Sequence, residues 1–279
     1  MQLISMATTR QQARADAGRN RLLTALDPDD LALLAPALRP VPMAPGAVLH
    51  EPDAPVEQVY FPLSGAISLL SVMRGGEVIE TATIGREGAV GAFAGLGCGN
   101  AFSRAVVLLP GTAAMISVSR FQAAVGQGEG IRDLVLRHGE TLLAQVQQTG
   151  ACNALHPLEA RFSRLLLEIS DRADDPRLPL TQESIAQLLA ARRSTITVIA
   201  SRLQASDLIR YHRGRIEIID RPRLAHVACE CYGTIRRRTD EIFAHHTARE
   251  DIAAESWLTA NEYRQRADAL DRAKLPNIE

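Results

Sequence analysis

Between Leu180 and Ile219 the chain reads LTQESIAQLLAARRSTITVIASRLQASDLIRYHRGRIEII, and its apolar positions admit few folds. Ile185, Leu188 and Leu189 share one face of a first short helix. Ile196, Ile199, Ala200 and Leu203 fall at i, i+3, i+4 and i+7 of a second, a single apolar stripe. The opposite face of that second helix carries Ser194, Thr197, Val198, Ser201 and Arg202. Beyond Leu208 the pattern becomes a two-stranded hairpin with its turn at His212-Arg213-Gly214-Arg215. Two helices at a tight turn followed by a hairpin form a winged helix-turn-helix, an architecture that reads duplex DNA.

That geometry assigns roles to residues. The second helix would lie in the major groove with Arg193, Ser194, Thr197 and Val198 nearest the bases. Arginine pairs with guanine O6 and N7, and a valine meets a thymine methyl. Thr181, Gln182, Arg192, Ser201 and Arg202 are placed to hold phosphates, which set register without reading sequence. Arg192 and Arg193 stand at the helix end whose free N–H groups already favour an anion. Arg213 and Arg215 on the wing suit the DNA backbone or minor groove. The whole chain has a formal charge of −1, which argues against a protein that coats nucleic acid indiscriminately. Residues 180–220 nevertheless hold six arginines against four acids, net +2, and residues 1–155 eleven against thirteen, net −2.

This tract resembles the DNA-binding domain of the Crp/Fnr family of bacterial transcription regulators, from Leu180-Thr181-Gln182-Glu183 through Arg193 to Leu208-Ile209 and the turn at Gly214. A weaker resemblance covers roughly residues 25–155, which look like that family's sensor domain and dimer helix. There are two departures. The family usually has a turn-forming Gly near the position of Ala190. It also commonly has a Glu just after the residue matching Arg193 and a second Arg four residues further on, where this chain has Ser194 and Val198. The resemblance therefore implies the fold and DNA binding, but not the operator of the family's best-known members.

The preceding half has the pattern of an antiparallel β-roll. Short β-type segments at Ala47–His50, Gln58–Phe61, Gly65–Val72, Glu77–Ile84, Arg104–Leu109 and Ala113–Val118 are broken by Gly- and Pro-containing turns. A helical pair precedes them around Leu22–Leu38, with Asp27-Pro28-Asp29-Asp30 as the cap and first turn of the second. The fold expected is thus α+β: a cyclic-nucleotide-binding-like β-roll, a long helix and a C-terminal winged helix-turn-helix. In the family this roll often carries a cassette in which a Glu takes the ribose hydroxyl and an Arg pairs with the cyclic phosphate. The matching stretch here is Gly85-Arg86-Glu87-Gly88-Ala89-Val90-Gly91-Ala92-Phe93, with Ser103-Arg104 downstream. Ala92 replaces the carboxylate. Gly91, Ala92, Ser103 and Arg104 remain the candidate effector pocket, with cyclic AMP not expected to bind. Another small effector, or a roll kept as scaffold, stays open. Arg86 and Glu87 read as a solvated turn.

From Ile131 to about Ala154 the chain reads as one helix, with Ile131, Val135, His138, Leu142, Val146 (or Gln145) and Thr149 close to a heptad seam. A two-fold operator calls for a symmetric dimer, so this seam is the expected homodimer interface. The competing reading is a helix packing that stripe on its own roll. Pro157 marks a hinge, and Leu158–Ala173 forms an amphipathic helix with Phe162, Leu165, Leu166 and Ile169 on its buried face. The domains expected are a sensor at 22–130, a connecting helix at 131–156, a DNA-binding domain at 157–233 and a helical extension at 234–279. In that extension Ile235, Ile242 and Phe243 begin one helix, and Ile252, Trp257 and Leu258 suggest another.

None of the four cysteines, Cys98, Cys152, Cys229 and Cys231, sits in the paired spacing of a structural zinc site. Cys229-Glu230-Cys231 reads as two small buried or half-buried residues on a helix. His50 and His138 are the internal histidines a haem sensor would use, but nothing pairs them. No metal or cofactor is expected. The first 21 residues lack the apolar core of a signal peptide and read as a disordered leader. No apolar run approaches a membrane span, so the expected compartment is the cytoplasm. The partners expected are double-stranded DNA, a second copy of the chain and RNA polymerase, whose contact surfaces carry no legible chemistry. Activator and repressor remain equally open. An enzyme finds no catalytic constellation. The alternative function is a nucleotide-like ligand sensor that signals through a protein partner.

Overall fold

The computed structural model describes residues 18–173 and 175–253. The first seventeen residues of the expected leader, and Trp257 and Leu258 of the expected last helix, lie outside them. Among the described residues two helices come first, α1 (Arg21–Thr24) and α2 (Pro28–Leu34). Asp27 caps α2: its carboxylate accepts from the N–H groups of Asp29 and Asp30, both at 2.9 Å, as the Asp-Pro-Asp-Asp pattern requires. The roll then forms from β1 (Arg39–Met43), β2 (Val48–His50), β3 (Gln58–Pro62), β4 (Ala66–Val72), β5 (Val78–Ile84), β6 (Arg104–Leu109) and β7 (Gly111–Ser117). A single turn of 3-10 helix, η1 (Ala92–Leu96), interrupts it. The strands make two antiparallel sheets of order β1-β7-β3 and β2-β6-β4-β5. Six of these strands fall where the alternation put them. The seventh, β1, carries Pro40 and Pro42, which hid it. It is tolerated because β1 is an edge strand, paired only with β7.

The core of the roll is built from Ile67, Ile84, Val90, Val107 and Ala113. Beside it Phe61 meets Phe121 edge-on, with ring centroids 5.9 Å apart. Phe121 belongs to α3 (Val118–Gln127), a helix the sequence did not mark. Next comes α4 (Glu129–Leu155), the long connecting helix. It ends at His156, whose extended backbone (φ −100°, ψ 142°) is the conformation Pro157 imposes on its predecessor. α5 (Leu158–Ser170) follows.

The C-terminal half contains β8 (Arg177–Leu178), α6 (Gln182–Leu188), α7 (Arg193–Ala205), β9 (Ile209–His212), β10 (Arg215–Ile218) and α8 (Arg221–Val227), with a sheet of order β8-β10-β9. Its core joins Phe162, Leu165, Leu166 and Ile169 of α5 to Ile185, Leu188, Ile196, Ile199, Leu203, Ile216 and Leu224. Ala66 and Leu109 of the roll belong to the same cluster, so the two halves share buried surface. Finally α9 spans Cys231–Ala253. The chain divides into two compact units at Arg238/Thr239. Among the described residues no helix is long and apolar enough to cross a membrane.

Candidate functional site

The helix-turn-helix is set by its caps. Thr181 caps α6 with its hydroxyl accepting from the Ser184 N–H at 3.0 Å, and Ser184 Oγ accepts in turn from the Thr181 N–H at 3.0 Å. The helix stops at Ala190, which adopts the left-handed conformation (φ 48°). The Ala191 N–H then reaches back to the Ala186 carbonyl at 2.9 Å, the closing bond of a Schellman stop. Ala190 thus occupies a position that suits glycine, and the turn is made without one.

α7 begins at once after this turn. Ile196, Ile199, Ala200 and Leu203 are buried, whereas Arg193, Ser194, Thr197, Val198, Ser201 and Arg202 are exposed. Val198 is 58% exposed, a large apolar side chain held in solvent in the middle of that face. Thr197 Oγ1 donates toward Gln182 Oε1 at 2.7 Å and the Arg193 carbonyl at 3.0 Å, which ties α7 to the start of α6. Arg193 lies 3.9 Å from Glu183, an exposed pair that holds it weakly. Arg202 instead turns to Glu159 of α5 at 3.3 Å, at the edge of the face. Arg192 precedes α7 and is exposed. On the wing, Arg213 (φ 49°) and Gly214 (φ 74°) make the two-residue turn between β9 and β10, so Arg213 and Arg215 project at its tip.

The second site lies between the roll and α4, a cavity of about 460 Å³. Gly91, Ala92 and Ser103 line it, with His50, Phe93, His138, Leu142, Leu143 and Val146 among their neighbours. Arg104 does not. Alternation along β6 sends Ser103 and Ala105 inward and Arg104 to the other side, where its Nε donates to Glu51 at 2.8 Å. Among the described residues no arginine lines the cavity. His50 and His138, unpaired in sequence, both face it, and each commits Nε2 to a carbonyl, that of Gln58 at 3.0 Å and of Ala89 at 2.8 Å. Burial lowers both imidazoles below their ordinary pKa. The cavity therefore offers a neutral, mainly apolar lining.

His138 belongs to the expected dimer seam, and its position corrects that expectation. Ile131, Val135, His138 and Thr149 are buried within this same chain, and Leu142 packs on the roll core. That stripe of α4 is taken by its own roll. The exposed large apolar residues of α4 are Leu136 (51%), Leu143 (58%), Val146 (37%) and, at its last position, Leu155, of which only Val146 was in the expected set. Glu87 is a second correction. It is no solvated turn, because Arg172 Nε donates to its carboxylate at 2.7 Å.

The cysteines are the third. Cys229 and Cys231 are buried, as expected, but Cys229 precedes α9 rather than lying on it. They meet Cys152 and His156 from the end of α4. The four ligand-type atoms lie within 4.8 Å of one another. A hydrogen bond from Cys229 lowers the Cys152 thiol below its ordinary pKa. Cys152 and Cys229 are 77 residues apart, which is why spacing rules missed the group. The signal was the i, i+4 pair Cys152/His156 together with Cys-x-Cys.

Comparison with known proteins agrees with this architecture. A family model described as the Crp-like helix-turn-helix domain matches residues 160–227. The chain is 26% identical over 177 residues to the global nitrogen regulator of Nostoc sp. (strain PCC 7120), covering 60% of this chain and 79% of that one. Among solved structures, FixK2 from Bradyrhizobium japonicum superposes with a TM-score of 0.59 at 17% identity, covering 69% of this chain and 98% of that one. A transcriptional regulator of the CRP family from Thermus thermophilus gives 0.57 at 18% identity, covering 67% and 96%. At these identities the structures speak to fold.

Proposed function

We propose that this chain is a DNA-binding transcription regulator of the Crp/Fnr family and that it works as a homodimer whose two copies of α7 enter successive major grooves of a two-fold operator. Members of that family are regulators, not enzymes. The observation that carries the reading is the solvent face of α7: Arg193, Ser194 and Val198 stand clear of the fold while the opposite stripe is buried. Arg193 reads a guanine, Ser194 and Thr197 take adjacent base edges, and Val198 meets a thymine methyl. Thr181, Gln182, Arg192, Ser201, Arg202, Arg213 and Arg215 flank that face as phosphate contacts.

In this reading residues 22–130 are the sensor, 131–156 the connecting helix and 157–233 the DNA-binding domain. The dimer forms along the exposed stripe of α4, where Leu136, Leu143 and Gly150 recur every seven residues with Val146 beside them. The cavity then opens at the dimer face, since Leu143 and Val146 line both. Its effector is small and uncharged, because a buried phosphate would find no guanidinium there. RNA polymerase is the further partner, met in the cytoplasm.

Selection of binding sequences from a random duplex library tests the base-reading assignment. Wild type should yield a two-fold site with half-sites about one helical turn, roughly 34 Å, apart. Arg193→Ala should lose about 10- to 100-fold at that site and relax one base pair per half-site. Equal loss on specific and random DNA would defeat it.

A further inference from the structure

Beyond DNA recognition, we infer that Cys152, His156, Cys229 and Cys231 form a tetrahedral zinc site that clamps the end of the connecting helix to the last residues of the DNA-binding domain. Cys152 lies in the last turn of α4 and His156 caps it four residues on, so both face the same way. Cys229 and Cys231 flank the junction between α8 and α9. Cys152 Sγ lies 3.4 Å from Cys229 Sγ, and Cys231 Sγ lies 3.5 Å from His156 Nδ1. A zinc ion with Zn–S near 2.3 Å and Zn–N near 2.0 Å spaces its ligand atoms about 3.5–3.8 Å apart. Both separations lie close to that spacing, and the whole set, within 4.8 Å, is compact enough for one mononuclear ion. An iron–sulfur cluster places several metal and sulfide atoms between its thiolates and needs a wider group.

The surroundings point the same way. His156 Nε2 lies 3.1 Å from Glu230 Oε1, which fixes the imidazole with Nδ1 toward the sulfurs. A carboxylate behind a metal-bound histidine is the usual outer support of such a site. Gln148 Nε2 donates to Cys231 Sγ at 3.0 Å, a bond that steadies a thiolate. Three thiolates, one neutral imidazole and Zn²⁺ carry a net charge of −1. The Arg164 guanidinium, bound to Glu168 at 3.0 Å, also acts on Cys152 with favourable charge in a buried place. All three cysteines are buried, and four protein ligands leave no open position, so the ion holds structure and does no chemistry. What it holds is specific. The two ligand pairs lie on either side of the Pro157 hinge and the whole helix-turn-helix, so the clamp restricts how α5–α8 swings on α4.

The test is metal analysis of the full chain purified under reducing conditions. About one zinc per chain is expected, lost in Cys229→Ser and Cys231→Ser and kept in Cys98→Ser, whose thiol lies elsewhere and is exposed. Because a ligand variant can fail to fold, two further measurements keep the test independent of it. Wild type stripped by chelator and reloaded with Co²⁺ should show thiolate-to-cobalt charge transfer and the intense visible bands of a tetrahedral ion. Glu230→Gln, which leaves all four ligands in place, should weaken Zn²⁺ about 10- to 100-fold in chelator competition. Reduced wild type that retains no Zn²⁺ and gives no cobalt–thiolate bands overturns the site. So does recovery of the metal-free chain with Cys152 joined to Cys229 in a disulfide, or a Cys229→Ser protein that keeps its full zinc.

Discussion

Arg172 reaches across from the end of α5 to Glu87 in the roll, with Nη2 2.6 Å from Oε1. The pair is largely shielded, the side chains being 12% and 25% exposed, and it lies where the two halves of the chain meet. Arg172 Nη1 also donates to the Glu168 carbonyl at 2.8 Å, and the Gly85 N–H donates to Glu87 at 3.0 Å. Burial works to raise the Glu87 carboxyl, but Arg172 and the Gly85 N–H outweigh it and hold the group below the usual carboxylate range.

Removing one partner strands the other. Glu87→Gln should destabilise the protein by about 3 kcal/mol in urea unfolding, since a largely buried guanidinium loses its counter-charge. The sign with pH follows from the lowered pKa. The stabilisation is fully present above about pH 4.5, the unfolded value, and is lost as pH falls through the lower folded value. An unfolding curve for Glu87→Gln that overlays wild type at pH 7 would remove the pair from the stability account.

Ala190 gives a prediction of opposite sign. Its φ of 48° costs an L-residue on the order of 1 kcal/mol that glycine avoids. Ala190→Gly should therefore stabilise the DNA-binding half by a few tenths to about 1 kcal/mol, the gain reduced by the extra freedom of glycine in the unfolded chain. Thermal unfolding of the two proteins side by side reads the difference. A lower midpoint for the glycine variant contradicts it.

The two faces of α4 separate assembly from stability. Leu143→Glu places a charge on the exposed stripe and should shift the protein to monomer in light scattering, with the fold retained. Leu142→Glu, one residue away, puts its charge against the roll core and should instead cost about 2–4 kcal/mol of stability. If Leu143→Glu stays dimeric, the interface lies elsewhere.

Glu80 predicts a further pH effect. It is buried on β5, and burial pushes its carboxyl up to about 7 against the hydrogen bonds from Ser68 at 2.5 Å and Thr83 at 3.0 Å. Glu168 of α5 faces it with like charge and Arg164 with opposite charge. Since the folded value exceeds the unfolded one, the protonated native state is favoured. Stability linked to Glu80 is present below about pH 4.5 and declines as pH rises toward 7. Glu80→Gln should flatten the stability–pH profile in that window. An unchanged slope between about pH 5 and 7 refutes the assignment.

The cavity yields a ligand prediction. Ala92 offers no acceptor to a ribose hydroxyl, and Arg104 is held by Glu51 outside the lining. Calorimetry should show no saturable micromolar binding of cyclic AMP, and Arg104→Ala should change nothing there. A micromolar site abolished by Arg104→Ala would show that the arginine swings inward.

The helix-turn-helix was legible in the residues because its information is local. The stripe Ile196, Ile199, Ala200 and Leu203 needs only the helical period to become a buried face, and Gly and Pro punctuation likewise marked six strands of the roll. The edge strand β1 escaped because proline argues against a strand until the neighbour that spares its missing N–H is known. Periodicity also shows that α4 has an apolar stripe without saying what covers it. Ile131, Val135 and His138 are packed by their own roll, and only the folded roll leaves Leu136 and Leu143 for a second chain. The same limit applies to Arg104, whose direction depends on the register of β6. It applies most of all to Cys152 with Cys229 and to Glu87 with Arg172, separated by 77 and 85 residues. No spacing rule spans such distances. Chain topology brings those side chains together, so tertiary structure alone decided them.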